Sequence, residues 1–491
     1  MTRPLIVDQV SRMLAGEAGL LLPRDRGGLV RTFGPAEFDP ADTGRRAPAL
    51  VLFTSGSTGA PKGVGLSLEA LTASATETER LLVGPGRWHL CLPSNHIAGL
   101  QVVFRALLAG AAPSVARPGP FDAGRFAADL TALQGRAGEE PVYTSLVPTQ
   151  LVRVLALPEA AAAAARCAAV LLGGAAVSPR LLERAAEAGI PIVRTYGMSE
   201  TAGGCVYDGV PFPEVRVDLD TQGRVLLAGP VLADGYLEVA ESQDGREAPE
   251  GGESPEQAEA LERAEAPSAL RLTAVPNGPV PAAGGAEGIR AGADTTAGEG
   301  IGSESQEAEA ERLAAEALRP GFWGEGPARF LVTSDLGRWV PAAEESHGAA
   351  EASPGAARRL EILGRADDII VTGGENVSPH EVEAHLLRVA EPLGYREVLV
   401  SSVPDEEWGR VLVALLVPAD AAERHPSSAG GGTGTSADPL LHRIQAGLRA
   451  RGLSAAMLPR AAHTVSALPV RGIGKPDRRA AQTLAAELQG R

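Results

Sequence analysis

Hydroxyls, glycines and a lysine crowd the stretch Leu52-Phe-Thr-Ser-Gly-Ser-Thr-Gly-Ala-Pro-Lys-Gly-Val64. Glycines let consecutive backbone N–H groups converge on one concavity, and hydroxyls and an ammonium add further donors. These residue types suit a polyphosphate. The nearest alternative, the nucleotide loop G-x-x-x-x-G-K-[ST], does not fit. Gly56 to Gly59 is too short, Pro61 precedes the lysine, and Gly63 stands where Ser or Thr should meet Mg²⁺. Taken alone, the stretch is also compatible with a plain Ser/Gly turn.

Further signatures follow in order: Thr195-Tyr-Gly-Met-Ser-Glu-Thr201, Thr333-Ser-Asp-Leu-Gly337, Gly364-Arg-Ala-Asp-Asp368 and Gly474-Lys475. Each has a bland reading by itself. Tyr-Gly could be a strand-end turn, Asp-Asp a solvated turn and Lys475 a surface lysine.

The elements that must position these residues alternate. The apolar run Ala49–Phe53 reads as a buried strand ahead of the loop. Ser67 can cap a helix whose Leu68, Leu71, Ala75 and Leu82 follow helical spacing. Trp88–Leu92, Val142–Val147, Ala169–Leu172 and Ile190–Val193 read as strands, with helices after Gly99, after Pro148 and from Ser178-Pro179 to Gly189. Such alternation predicts a parallel sheet covered on both faces. Residues 1–48 show only one short helical pattern, near Val7–Leu14. Beyond Phe322-Trp323 come a strand at Leu360–Leu363, a capping box at Ser378-Pro-His-Glu381, strands at 397–403 and 411–417, a Gly/Ser-rich loop at 427–436, and closing helices from Leu440 and after Lys475.

Composition bounds the reading. The chain has 491 residues, a formal charge of −16 and a pI near 5.1, which argues against nucleic acid as a partner. Residues 241–320 hold 17 Asp and Glu against 6 Arg and no Phe, Trp, Tyr or Lys, so −11 of the −16 lies there. That segment is expected to be a disordered acidic insertion, with a transient Glu/Ala-rich helix near 304–318. Cys91, Cys167 and Cys205 share no C-x-x-C spacing, as in a reducing cytoplasm. The first residues lack a signal-peptide pattern and no apolar run reaches membrane-spanning length, so a cytoplasmic location is expected.

In this order and spacing the signatures resemble the adenylate-forming superfamily of acyl- and aryl-CoA synthetases, over nearly the whole chain apart from the inserts. The resemblance implies an α/β fold with a large N-terminal domain of layered β-sheets and helices, residues 1–366, whose N-terminal subdomain is truncated. A small mobile α+β C-terminal domain, residues 367–491, would hinge at Asp367. It implies a ligase reaction with ATP, Mg²⁺ and coenzyme A. A carboxylate is activated as an acyl-adenylate because AMP leaves where oxide cannot, and two anions must be brought together to do it. By the same resemblance, Thr54, Ser55, Ser57, Thr58 and Lys62 would cradle the β- and γ-phosphates, and Glu200 would hold Mg²⁺. Tyr196, with Gly197 and Ser199 beside it, would stack on adenine flanked by Gly174 and Ala175. Asp335 with Arg365 would bind the ribose, and Lys475 would bridge the acid and the α-phosphate. The loop Thr372-Gly-Gly-Glu-Asn376, with Gly373 and Gly374, would shape a tunnel for the pantetheine arm. His96 could orient the acid or be a structural histidine.

Pro93–Leu100, Tyr143–Gln150 and Tyr196–Asp208 look most like the branch acting on o-succinylbenzoate in menaquinone biosynthesis. Gly203-Gly204 would leave room for a planar aryl group, and neither Arg105 nor Arg194 is assigned to a second carboxylate. Thr333-Ser-Asp335 departs from the usual Thr-Gly-Asp but keeps a small residue. Open alternatives are another aromatic or short acid, the loading of a carrier protein, and a catalytically dead scaffold that binds a basic partner through its acidic insert. The partners expected are a small carboxylic acid, ATP and CoA, with neither nucleic acid nor an integral membrane segment and a homo-oligomer left open.

Overall fold

The computed structural model describes residues 5–22, 30–34, 38–39, 46–55, 61–241, 270–275, 277, 320–341, 358–419, 439–471 and 475–490. The predicted run at Ala49–Phe53 forms the strand Leu50–Ser55, and Pro61–Leu66 returns antiparallel to it. Thr54 stands opposite Lys62 and Ser55 opposite Pro61. The two described ends of the phosphate-loop candidate therefore lie side by side on paired antiparallel strands. The second strand escapes the sequence reading because Pro61, Gly63 and Gly65 are poor strand formers.

This strand pair sits inside a seven-stranded sheet ordered Arg31–Phe33, Gly19–Leu21, Leu50–Ser55, Pro61–Leu66, Gly235–Glu241, Leu270–Ala274, Phe38–Asp39. This sheet corrects two expectations. Residues 1–48 supply three strands besides the helix Leu5–Leu14. The acidic segment 241–320 is not wholly an unstructured insertion, because Leu270–Ala274 pairs antiparallel with Gly235–Glu241 and parallel with Phe38–Asp39. The alternation in Leu270-Arg-Leu-Thr-Ala274 suits a strand, and averaging composition over the whole segment conceals it. Residues 242–269 and 278–319, including the helix expected at 304–318, lie outside the described residues, as does the loop at 427–436.

A second seven-stranded sheet runs Val210–Pro211, Gly203–Tyr207, Ile192–Met198, Ala169–Leu172, Val142–Leu146, Arg87–Leu90, Ser114–Val115. From Ile192–Met198 to Ser114–Val115 every pairing is parallel. Alternate side chains of Ala169–Leu172 serve opposite faces. Val170 and Leu172 pack with Leu130, Leu151 and Val154 from the helices Ala123–Ala137 and Pro148–Leu155. Ala169 and Leu171 join Trp88, Leu100 and Phe104 in the main core. Caps act as expected, with Ser67 Oγ accepting from the Ala70 N–H and Ser178 Oγ from the Leu181 N–H, each at 3.2 Å. The strand expected at Ile190–Val193 starts later and extends to Met198, so Tyr196 and Gly197 are strand residues.

A five-stranded sheet centres on the long strand Phe330–Pro341, flanked by Arg224–Ala228, Gly321–Trp323 and Arg358–Arg365. Beyond it, the strands Tyr395–Asp405, Gly409–Pro418 and Ala461–Thr464 pair with one another. Val382 and Leu386 of helix Pro379–Ala390, with Ile444 and Leu448 of helix Pro439–Arg449, cover one face, and Ala481 and Ala485 of helix Arg478–Gln489 the other. Ion pairs from Arg180 to Glu391 (3.3 Å) and from Arg388 to Glu183 (3.2 Å) link this C-terminal part to the helix Pro179–Glu187.

Candidate active site

The neighbouring strands Ala169–Leu172 and Ile192–Met198 run together to their ends, with Leu172 opposite Arg194. Gly173 and Gly174 follow. A Cβ on Gly173 would sit 2.3 Å from Thr195 Oγ1, and Gly174 holds φ at +80°. Only glycines let this loop lie against Thr195-Tyr196; Ala175 follows them. The Tyr196 hydroxyl, on a half-buried side chain, donates to Asp335 Oδ2 at 2.8 Å. The Asp335 N–H donates to Thr333 Oγ1 at 3.0 Å, and Arg365 faces Asp335 in strand register. Burial, then the Asp335 charge, push the Tyr196 phenol well above its usual range, so it remains a donor at neutral pH. Arg365 also donates to Asp367 Oδ2 at 3.0 Å. Burial works against its charge, but the carboxylates of Asp367, Asp335 and Asp368 outweigh it and hold the guanidinium above its ordinary range.

One short turn aims the next carboxylate. Ser199–Thr201 form a single 3-10 turn ending at Ala202 in the left-handed region, φ 51°. Thr201 Oγ1 accepts from the Met198 N–H at 2.9 Å and donates to the Gly203 carbonyl at 2.7 Å. Gln101 Nε2 donates to the Ala202 carbonyl at 2.7 Å. A Cβ on Gly197 would meet the Gly203 oxygen at 2.0 Å, so the strand pair closes only over glycine. Glu200 Oε1 accepts from the Tyr236 hydroxyl at 3.2 Å, and the Glu200 carbonyl accepts from the Ala233 N–H at 2.8 Å. Burial, then the Glu200 charge, raise the Tyr236 phenol above its ordinary range. Lys62 Nζ lies 5.1 Å from the centroid of the same ring.

Two groups of the expected residues are thus brought together: Tyr196 with Asp335 and Arg365, and Lys62 with Glu200 through Tyr236. Sequence reasoning passes over Tyr236. Its contacts arise from sheet register, Tyr236 opposite Val64 and Leu237 opposite Gly63, and no local pattern announces them. Thr54 is half-buried, Ser55 ends its strand, and Ser57 and Thr58 lie outside the described residues. His96 is half-buried at the N-cap of the helix Ile97–Leu108, in extended conformation. Gly373 and Gly374 form the two-residue turn between Thr372 and Glu375, with φ of +57° and +83°. Lys475 pairs with Arg471 through the backbone, and its side chain lies outside the described residues. Arg105 is buried, its guanidinium 5.4 Å from the Trp88 ring, and Arg194 pairs with Asp208 at 2.9 Å. Neither is assigned to the acid.

Among the described residues no cluster of three or more His, Cys, Asp or Glu could hold a metal. Glu200 offers one hard oxygen donor. That is a sparse set which fits Mg²⁺, an ion commonly shared between one or two carboxylates, phosphate oxygens and water. No helix of the described residues is long and apolar enough to cross a membrane.

Residues 9–253 match the family model described as AMP-binding enzyme. The chain is 34% identical over 432 residues to the probable 2-succinylbenzoate–CoA ligase of Mycobacterium tuberculosis, covering 88% of this chain and 83% of that relative. It is 30% identical over 385 residues to the sulfoacetate–CoA ligase of Cupriavidus necator, covering 77% and 58%. Among solved structures it resembles o-succinylbenzoate CoA synthetase from Bacillus subtilis in complex with its acyl-adenylate intermediate. That match has a TM-score of 0.53 and 22% identity, and covers 88% of this chain and 68% of the other. The likeness establishes the fold.

Proposed function

The chain belongs to the AMP-binding enzyme family, and on that premise we propose that it is an AMP-forming acid–CoA ligase that converts 2-succinylbenzoate to its CoA thioester. The observation that carries the reading is the 34% identity to a probable 2-succinylbenzoate–CoA ligase, sustained over 88% of this chain and 83% of the relative.

In the first step the acid's carboxylate oxygen attacks the α-phosphorus of ATP and pyrophosphate leaves. In the second the CoA thiol attacks the acyl carbon and AMP leaves. Lys62, with the hydroxyls of Thr54, Ser55, Ser57 and Thr58, would hold the β- and γ-phosphates. Bound Mg²⁺ supplies charge neutralisation at the phosphates, with Glu200 as its protein ligand. Tyr196 would lie on adenine beside Gly174, Ala175, Gly197 and Ser199. Its hydroxyl meanwhile fixes Asp335, whose carboxylate offers about four lone-pair sites. One accepts from Tyr196, and the carboxylate would accept from the ribose hydroxyls as well.

Lys475 would meet the acid and the α-phosphate from a lid, residues 367–491, hinged at Asp367. Gly373 and Gly374 would line the pantetheine path, and His96 would face the acid. The cytoplasm is the proposed location, in keeping with the free thiols of Cys91, Cys167 and Cys205.

The similarity to a sulfoacetate–CoA ligase supports a second reading, a ligase for another acid. Pyrophosphate release measured over a panel of acids, with and without CoA, separates the two. Turnover of 2-succinylbenzoate in preference to benzoate and fatty acids supports the first. Robust release with those acids and none with 2-succinylbenzoate would refute it, and thioester formation on a carrier protein but not on CoA would reassign the acceptor.

A further inference from the structure

Tyr236 joins two charged groups, Lys62 and Glu200, carried on different elements. Lys62 belongs to the strand Pro61–Leu66 and Glu200 to the turn after Ile192–Met198. The Tyr236 ring lies 5.1 Å from Lys62 Nζ, and its hydroxyl donates to Glu200 Oε1 at 3.2 Å. The ring is itself held. Phe322 packs on it with centroids 5.2 Å apart at 60°, and the Arg329 guanidinium lies 4.7 Å from the Phe322 centroid on its own account. The backbone is fastened as well: the Ala233 N–H donates to the Glu200 carbonyl and the Asp234 N–H to the Gly65 carbonyl, both at 2.8 Å. The segment 233–236 therefore bridges the turn that carries Glu200 and the strand that carries Lys62.

We propose that Tyr236 is a positioning residue that presets both the phosphate lysine and the metal-binding carboxylate for a nucleotide–Mg²⁺ complex. This rests on the proposed roles of Lys62 and Glu200. A carboxylate whose Oε1 is held by the phenol is confined to one rotamer instead of several, which orients it for a metal. An ammonium attracted to a ring face is localised without surrendering its N–H donors, because a ring face accepts charge and leaves the donors for phosphate oxygens.

The two functions separate by substitution. Tyr236→Phe keeps the ring and removes the hydroxyl; Tyr236→Leu removes both. ATP binding is measured calorimetrically on the full chain, without acid or CoA, in EDTA and across a Mg²⁺ series, with thermal melting of each variant alongside. For Tyr236→Phe the expectation is unchanged ATP affinity in EDTA and a rise of about 10- to 100-fold in the Mg²⁺ needed for tight binding, the usual cost of losing a group that orients a metal ligand. Tyr236→Leu should also weaken metal-free ATP binding about two- to fivefold, the scale of a cation–π contact.

A wild-type Mg²⁺ dependence in Tyr236→Phe overturns the proposal even if Tyr236→Leu is poorly folded. If the unmodified chain binds no ATP, the reading of the whole site falls and this assignment with it. ATP binding that responds to Mg²⁺ in the wild type but equally in Tyr236→Phe rejects the assignment alone.

Discussion

Replacing Tyr196 by Phe should weaken nucleotide binding while leaving the proposed adenine platform in place. The change deletes one hydroxyl that donates to Asp335 Oδ2 at 2.8 Å. A hydrogen bond to a charged group contributes about 1.5–3 kcal/mol. The phenol itself is buried, which limits replacement of that donor by water, so the lower end is a minimum. About 1.4 kcal/mol corresponds to roughly a tenfold loss in affinity for ATP and for AMP. The ring remains, so the proposed stacking on adenine, worth about 1–3 kcal/mol on the scale of base–aromatic contacts, stays, and Tyr196→Leu should cost correspondingly more.

A double-mutant cycle sharpens the test. If the hydroxyl acts by holding Asp335, then Tyr196→Phe and Asp335→Asn should be non-additive in AMP affinity, with a coupling of about 0.5–3 kcal/mol. AMP titration of the single and double variants gives the number directly. Strict additivity, or a Tyr196→Phe variant that binds AMP like the wild type, would show that the phenol–carboxylate pair does not set the ribose acceptor. Burial and Asp335 raise the phenol well above its ordinary range, so it stays protonated throughout neutral and mildly alkaline pH. The expected loss is therefore flat between pH 6 and 9.

Other consequences follow from groups remote from the nucleotide. Burial pushes His89 down from 6.5 to about 4, so the unfolded chain binds its proton first as pH falls. Stability from this site is full above 6.5 and is lost down to about 4, a drop of about 3 kcal/mol; His89→Gln should flatten the thermal melting profile over that interval. Arg478 pairs with Glu383 through both terminal guanidinium nitrogens and donates to the Val400 carbonyl at 2.9 Å. Arg478→Met should cost about 3 kcal/mol in denaturant unfolding by leaving the buried Glu383 carboxylate with only the Val400 N–H and His380 beside it, and Glu383→Leu in the same chain should restore part of it. A Cβ at Gly373 would lie 2.6 Å from the Trp408 ring at φ +57°. Gly373→Ala should slow transfer to CoA more than adenylate formation, as read by rapid quench of each half-reaction.

The sequence is most legible where structure is local. The parallel sheet announces itself by alternation, and Ser67, Ser178 and Ser378 cap the helices their positions suggest. It is least legible where a strand is recognised only by its neighbour. Pro61–Leu66 carries proline and glycines and becomes a strand because Leu50–Ser55 and Gly235–Glu241 lie on either side. Leu270–Ala274 sits in an acidic stretch whose average composition argues against order. Tyr196, Asp335, Lys62 and Glu200 can be picked out by motif, but their joining partners depend on register across long sequence separations, which is why Tyr236 passes unnoticed. Gly373 and Gly374 gain a reason beyond access for a ligand. Positive φ at both positions is what a two-residue hairpin turn between Thr372 and Glu375 requires.

The proposed chemistry stands or falls on the identity of its intermediate. The full chain is mixed with 2-succinylbenzoate, ATP and Mg²⁺ in a single turnover, quenched and resolved by mass spectrometry, and CoA is then added to a parallel sample. The prediction is acyl-adenylate and pyrophosphate in equal amounts before CoA, followed by conversion to the CoA thioester and AMP. Formation of ADP and phosphate, or of thioester without any adenylate, would contradict it.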